Sequence, residues 1–434
     1  MAILARKLAF AYCLVYFCAF SGPFTLAQVP TLAWMKSIYG HGNTDAVPGG
    51  GDFVLGKKAM AIDLAGNVYV TGSSSNGSNV DFLTVKYNAS GVIQWRAVSN
   101  GAANGGDVAY ALALDAGGNV IVTGTSYDGS QANFLTVKYS SDGAEQWRAT
   151  LNGALNGDDE AYAIAVDSGG NIYVTGTSFN GSAYDFGSVL DYLTVKYNPA
   201  GAEQWRVRTS GPGSSVDRPY AIAVDGGGNV VVTGYSSNGA SNDYLTVKLN
   251  SSGVELWRRA MDGVANGSDL AFALAIDSSN NIVVAGQSHN GINTDYLTVK
   301  YDAGGTEQWR AITNGDGLVG DAAHAVAVDP MGNVIVTGQS DLVSGSVPGP
   351  GNPRYLTVKY SPAGAEIWRK SINGAGTGYD IASAIASDTS GNIYVTGYGA
   401  NGDLVTVKYL PDGSESWRTS ITGAGSANGA ALVS

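Results

Sequence analysis

Seven copies of one unit, each carrying the same three blocks in the same order, constrain this 434-residue chain more than any other feature. The block AYAIAVDSGGNIYVTG at 161–176 returns as AYALALDAGGNVIVTG at 109–124 and as PYAIAVDGGGNVVVTG at 219–234. Looser forms end at Gly72, Gly286, Gly338 and Gly397. Leu-Thr-Val-Lys begins at residues 83, 135, 193, 245, 297 and 356, with Val-Thr-Val-Lys at 405. Trp-Arg begins at Trp95, Trp147, Trp205, Trp257, Trp309, Trp368 and Trp417, mostly 52 residues apart, with steps of 58 and 59 where loops are inserted and 49 at the end. A repeat of this length is one supersecondary unit that cannot bury its own faces, so the copies must pack on one another.

Each unit reads as four strands. In the third, Ala161–Asp167 alternates alanines with Tyr162, Ile164 and Val166, the period of a strand. Ser168-Gly169-Gly170-Asn171 is a tight turn, and Ile172–Thr175 is β-branched and aromatic. A longer polar loop leads to Tyr192–Tyr197, an Asn-Pro-Ala-Gly turn, and Glu203–Arg208 around Trp205. No stretch has a helical period, and 61 glycines with only 14% charged residues suit turns and strands. Set radially, each sheet packs both faces on its neighbours and leaves only short, protected edges.

The expected fold is therefore all-β: a seven-bladed β-propeller of four-stranded antiparallel blades over residues 59–424, with a short tail at 425–434. Leu32–Gly40, LAWMKSIYG, resembles an eighth Trp strand. Within a lead-in at 28–58 it is expected to close the ring, either displacing the Trp417 strand or lying outside it. An eight-bladed ring lacking part of a blade is the alternative.

Residues 1–27 read as a secretory signal: Arg6 and Lys7, an apolar run Leu8–Phe20, then Thr25-Leu26-Ala27. The run is shorter than the roughly 20 residues that span a bilayer. Both cysteines, Cys13 and Cys18, lie inside it, so the mature chain offers no disulfide, thiolate ligand or cysteine nucleophile. Losing Arg6 and Lys7 moves the formal charge from −12 to −14. Such a surface repels nucleic acid and anionic membranes. The expected product is a secreted, periplasmic or cell-surface monomer with no nucleic-acid partner and no membrane insertion after cleavage.

The run DYLTVKYNPAGAEQWR, with DDEAYAIAVDSGGNIYVTGTS, resembles the bacterial SBBP family, a seven-bladed β-propeller repeat of secreted proteins. The likeness covers nearly everything from Trp34 to Gly423. The order AVD…GNIYV is also similar to NHL repeats, without their usual Ala-Asp after the second strand. The resemblance implies an exported ring used as a scaffold or interaction surface and implies no single activity. The D/N-x-x-G-x-x-x-W turn resembles the tryptophan-docking pattern of pyrroloquinoline quinone dehydrogenases, with one residue fewer before Gly; the adjacent cysteines usual in those enzymes are missing.

Three groups of residues are candidates for chemistry. Asp107, Asp159, Asp217, Asp269, Asp321 and Asp380 precede the first strand of their units and would ring one channel mouth. They would hold a cation such as Ca2+, or each would accept N–H bonds in its own loop; sixfold repetition favours the loop role. No other cofactor is expected. Asp63, Asp115, Asp167, Asp225, Asp277, Asp329 and Asp388 sit at the tight turn and read as turn residues, while the repeated lysines and arginines read as surface ion-pair partners. His324 takes an aromatic position shared by Tyr110, Tyr162, Tyr220 and Phe272, so packing is its expected role.

The long loops, with insertions around Ser182–Asp191 and Asp341–Arg354, fall on one side of the ring, where binding normally resides. Tyr184, Phe186, Tyr235, His289 and Arg354 are candidate contacts there for a protein or polysaccharide partner. The favoured function is a secreted binding scaffold. The competing one is a propeller enzyme, a hydrolase, lyase or quinone-dependent dehydrogenase, with its site at the channel mouth; no catalytic residue stands out from the repeat.

Overall fold

The computed structural model describes residues 59–101, 103–181, 189–213, 216–315, 320–342, 352–372, 380–399 and 403–421. These residues form seven four-stranded antiparallel sheets, each made of four consecutive strands. The blades run 60–99, 107–151, 159–209, 217–261, 269–313, 321–372 and 381–421. In blade 3 the strands are Asp159–Val166, Ile172–Phe179, Leu190–Tyr197 and Glu203–Thr209, matching the pieces expected from the sequence. The first strands of successive blades touch one another, so they are innermost and line a central channel. The protein is a seven-bladed β-propeller. Leu32–Gly40, the strand expected to close the ring, lies outside the described residues, as does the signal segment.

No blade has a core of its own. The apolar clusters lie between blades, as when Ala111, Ile121, Phe134 and Leu151 of blade 2 meet Ile164, Ile172, Val174 and Leu193 of blade 3. Small alanines on the first strand admit the larger side chains opposite. Among the described residues, such clusters join blades 1 to 2 through 6 to 7, while Val68, Val70, Leu83, Val85 and Tyr87 on the outer side of blade 1 form a cluster by themselves.

The repeated Trp is the fastener between blades. Its indole Nε1 donates to a carbonyl in the third-to-fourth-strand turn of the next blade: Trp95 to Ser141 at 3.0 Å, Trp205 to Ser251 at 3.0 Å, Trp309 to Pro362 at 3.0 Å. The ring lies under the glycine of that turn. Gly253 has φ +83°, and a Cβ added there would stand 2.9 Å from the Trp205 ring. Tyrosines of the third strand complete the joint: the Tyr192, Tyr244, Tyr296 and Tyr355 hydroxyls donate to third-strand carbonyls of the next blade at 3.0–3.2 Å.

A bulge interrupts the first strand of blades 2 to 7. In blade 3, Gly176 opposes Ala161 and Thr175 opposes Ala163, so Tyr162 is left without a partner in the ladder. Tyr110, Tyr220, Phe272, His324 and Ser383 are skipped in the same way. The glycine of the Val-Thr-Gly block permits this. A Cβ on Gly176 would lie 1.9 Å from the Glu160 carbonyl oxygen, and one on Gly234 would lie 2.0 Å from that of Arg218. The simple alternation expected across Ala161–Asp167 is thus broken: Tyr162 is half-buried while its neighbours Ala161, Ala163 and Ile164 are buried.

Two alanine substitutions separate backbone strain from docking. Gly239 has φ +90° with nothing within 4 Å of its would-be Cβ, so Gly239→Ala should cost only the left-handed penalty, about 1–2 kcal/mol. Gly253→Ala adds the collision with Trp205 and should cost at least about 1 kcal/mol more. Denaturant unfolding of the two variants reads the difference; equal losses would remove the Trp contact as the reason for the turn glycine.

Candidate functional site

Five of the six mouth aspartates bond within their own loops, and all six are buried. Asp107, Asp159, Asp217, Asp269 and Asp321 are 0% exposed and Asp380 is 1% exposed. Asp107, Asp217, Asp269 and Asp321 accept the backbone N–H of Gly101, Gly211, Gly263 and Gly315 at 2.5–2.6 Å, and Asp159 accepts that of Gly153. Each clamps the loop that brings the chain in from the preceding blade. Burial pushes the Asp107, Asp159, Asp217 and Asp269 carboxyls up from their ordinary value. Among the described residues the six are not gathered into a common ligand set. Among the described residues, Asp243, Asp262 and Asp269 bring three carboxylates within 4.8 Å of one another. There Asp243 already accepts from Asn238 and Ser241, and Asp269 from Gly263 and His289.

The tight-turn aspartates do what their spacing predicts and one thing more. Asp225 Oδ1 accepts the N–H groups of Gly227 and Asn229 at 2.9 Å. Its other oxygen meets Lys248 Nζ at 2.8 Å, with both side chains only 2% exposed. Lys138–Asp115, Lys300–Asp277 and Lys359–Asp329 repeat the pair at 2.9–3.0 Å. These lysines were expected at the surface; they are buried because the next blade covers them. Where the second strand carries Tyr69, Tyr173 or Tyr394, the arrangement changes: the phenol donates to the aspartate and the lysine lies over the ring at 5.1–5.2 Å. The arginines after Trp do form exposed pairs, such as Arg148 with Glu145 at 2.6 Å.

Of the loop candidates, Tyr184 and Phe186 lie outside the described residues. His289 caps a turn, its Nδ1 accepting the Gly291 N–H at 3.1 Å. Arg354 sits on the third strand of blade 6 opposite Ser340. Tyr235 is brought to something larger. Its ring is 5.9 Å from Tyr220, and Tyr220 is 5.5 Å from Phe272, which is 5.7 Å from His324. Tyr110 and Tyr162 stand 5.8 Å apart on the preceding two blades.

These five bulge residues form an arc around the channel, about 10 Å below the long-loop mouth at roughly 3.3 Å per strand residue. All are half-buried, so each keeps one side open. Re-aiming a side chain is a recurring use of bulges beside functional sites. Polar groups stand among the rings. Tyr162 donates to Glu160 and accepts from Thr177 Oγ1 at 3.3 Å, and the Arg218 guanidinium lies 5.6 Å from the centre of the Tyr162 ring. The repeat displayed an aromatic or His324 at this one position in five units, which gave the packing role but not the bulge that sets the rings against one another. The missed signal was the glycine opposite, which only a bulge requires.

A second cavity, of about 630 Å³, opens on the tight-turn side among Ile276, Asp277, Lys300, Asp329, Met331 and Asp388. Its charged groups are engaged in the Lys–Asp pairs and turn bonds above.

Fold and repeat together define the class: a β-propeller repeat protein carrying the SBBP beta-propeller repeat, whose family model matches residues 146–181. Among curated proteins, the chain is 25% identical to an uncharacterized WD repeat-containing protein of Acanthamoeba polyphaga mimivirus, over 60% of this chain and 26% of that protein. It is 32% identical to the regulatory protein FlaEY of Caulobacter vibrioides, over 32% of this chain and 16% of that one. The matched part thus spans about a quarter and a sixth of these relatives. Among solved structures, the periplasmic gluconolactonase PpgL of Pseudomonas aeruginosa aligns at 10% identity and TM-score 0.49, over 82% of this chain and 97% of that one. The polysaccharide lyase Uly1 aligns at 11% identity and TM-score 0.46, over 87% and 93%. Likeness at that level carries no argument about activity.

The buried pair sets a pH dependence. Burial raises the Asp225 carboxyl, but Lys248, Asn229 and the turn N–H groups outweigh it and hold it below its ordinary value of 3.8. A depressed carboxyl stabilises the fold above its ordinary value, and that stabilisation fades as pH falls through the folded value. Lys248→Met, which strands Asp225, should cost about 3–5 kcal/mol at neutral pH, and adding Asp225→Asn should restore part of it. The penalty of Asp225→Asn alone should shrink as pH drops from about 5 to 2, followed by denaturant unfolding at each pH.

Proposed function

We propose that this protein is an exported carbohydrate-binding β-propeller whose site is the aromatic arc in the channel mouth. The observation that carries the reading is the bulge at Tyr110, Tyr162, Tyr220, Phe272 and His324, whose half-buried rings meet one another from blade to blade and lie outside the apolar clusters of the described residues. The apolar clusters between blades are built from the alanines and branched residues on either side, and the rings add a separate belt of contacts around the channel. Aromatic faces offer a rigid apolar platform, and Glu160, Tyr162, Tyr235 and Arg218 add the few oriented polar groups of a small-molecule or polymer site. Sugars present both an apolar C–H face and hydroxyls, which is the complement of such a surface. Export rests on the residues 1–27 signal.

The competing enzyme reading would place its chemistry at the same arc, with Glu160 as the carboxylate closest to the rings. Release of reducing ends or unsaturated products from a polysaccharide panel tests it alongside binding. Calcium and chelator belong in the same panel, to test the alternative cation role of the carboxylates near the mouth.

Tyr220→Ala and Phe272→Ala should each weaken binding of polysaccharides that the wild type retains by about tenfold or more, measured by calorimetry or affinity electrophoresis. Their melting temperatures should fall less than that of Gly253→Ala. Unchanged affinity in both variants would move the site away from the channel.

A further inference from the structure

In a repeat protein the scaffold's own requirements recur in every unit, so a residue that departs from its equivalents answers to something else. The position two residues before the bulge shows this. It holds Val108, Glu160, Arg218, Leu270, Ala322 and Ile381 in blades 2 to 7, six different residues at one structural address.

Arg218 is the cation of that set. Tyr235 is its direct cross-strand partner, Tyr162 of the preceding blade lies under its guanidinium at 5.6 Å, and Tyr220 follows it on the same strand. The residue is half-buried and its Nε has no hydrogen-bond acceptor among the described residues. No carboxylate oxygen among them comes within ion-pair distance of it. Burial opposes its charged form, but the surrounding tyrosines, Tyr220 also through a hydrogen bond to the guanidinium, outweigh it. Six of the arginines that follow Trp behave differently: Arg148, Arg206, Arg258, Arg310, Arg369 and Arg418 each pair with a glutamate three residues back.

A planar guanidinium among ring faces, still owing hydrogen bonds, fits a carboxylate presented in its plane, because the fork matches two carboxylate oxygens at once. The overall charge of −12 works against any anion at long range, but that repulsion is screened beyond about 8–10 Å at physiological salt. Selection for an anion therefore has to come from a local contact inside the channel mouth, which is where Arg218 stands.

We propose that Arg218 makes the arc selective for acidic saccharides, taking the carboxylate of a uronate residue while its sugar ring rests on Tyr162 and Tyr220. This rests on the carbohydrate reading above and names its ligand class. Glu160, bonded to Tyr162 on the neighbouring blade, faces the same region: Tyr110 senses the charges of both Glu160 and Arg218. It supplies an acceptor for a sugar hydroxyl and discourages a second carboxylate there, which fits one acidic residue in a defined register.

The test is calorimetry on the full chain with oligogalacturonate and the same oligomer after carboxyl reduction, with acetate and free galacturonate as small-carboxylate controls. Wild type should bind the acidic oligomer about tenfold tighter than the reduced one, and the controls should compete poorly. Arg218→Met should bring the acid-to-neutral ratio to about one, and Arg218→Lys, which keeps charge but loses the fork, should fall between. A ratio unchanged in Arg218→Met would overturn the proposal while leaving carbohydrate binding intact. Equal binding of both oligomers by wild type would do the same. Full competition by acetate would reassign Arg218 to small carboxylates. Failure of wild type to bind either oligomer, or any neutral polysaccharide, would remove the carbohydrate reading along with it. Matching thermal melts for the two Arg218 variants show that the ratio reports recognition and not unfolding.

Discussion

The joint between one blade's tryptophan and the next blade's turn is what the ring depends on. A four-stranded sheet of this size has two apolar faces and no interior, so its stability has to come from its neighbours. The indole supplies area, direction and a single donor. The glycine beneath it clears the space, and the turn carbonyl satisfies the N–H. Lysine of the third strand reaches the same carbonyl, as Lys196 does to Ser251 at 2.9 Å, so one turn is held by two donors from the preceding blade. The turn must then keep its length and shape in every unit, which explains why variation is confined to the opposite side of the ring.

Variation inside the scaffold follows a physical rule. The third-strand lysine needs compensation where it is buried and a partner where it is half-buried, and this fold provides the two differently. With Ile121, Val231, Val283 or Ile335 beside it, the lysine pairs directly with the turn aspartate. With tyrosine there, the phenol takes the aspartate and its ring receives the cation. Both keep the aspartate's charge satisfied and its turn closed. By contrast, the position two before the bulge is aliphatic in four blades, as Val108, Leu270, Ala322 and Ile381, and charged in two, as Glu160 and Arg218.

Much of this was legible in the residues. Period-2 runs, Gly-Asn turns and the recurring Trp-Arg located the strands of each described blade, and sixfold repetition marked the mouth aspartates as loop clamps. One reading needed correcting and another needed completing. Lys248 and its equivalents were assigned to the surface because a charge in a strand is usually solvated; the adjoining blade, distant in sequence, covers them. His324 packs as its aromatic position implied, against Phe272, but the partners of these rings were not legible: one extra residue in the ladder sets them against one another around the channel, and hydropathy does not register it.

The sequence by itself determined the unit, its strand order, the number of blades and which residues serve the scaffold, since those are set by local periodicity and by repetition. Only the tertiary structure decided which rings face the channel and which charges meet there. Tyr162 and Arg218 are separated by a whole blade of sequence, yet the ring closes them to 5.6 Å. Their meeting depends on the angle between neighbouring sheets and on a bulge in each, and neither quantity is written in any one repeat.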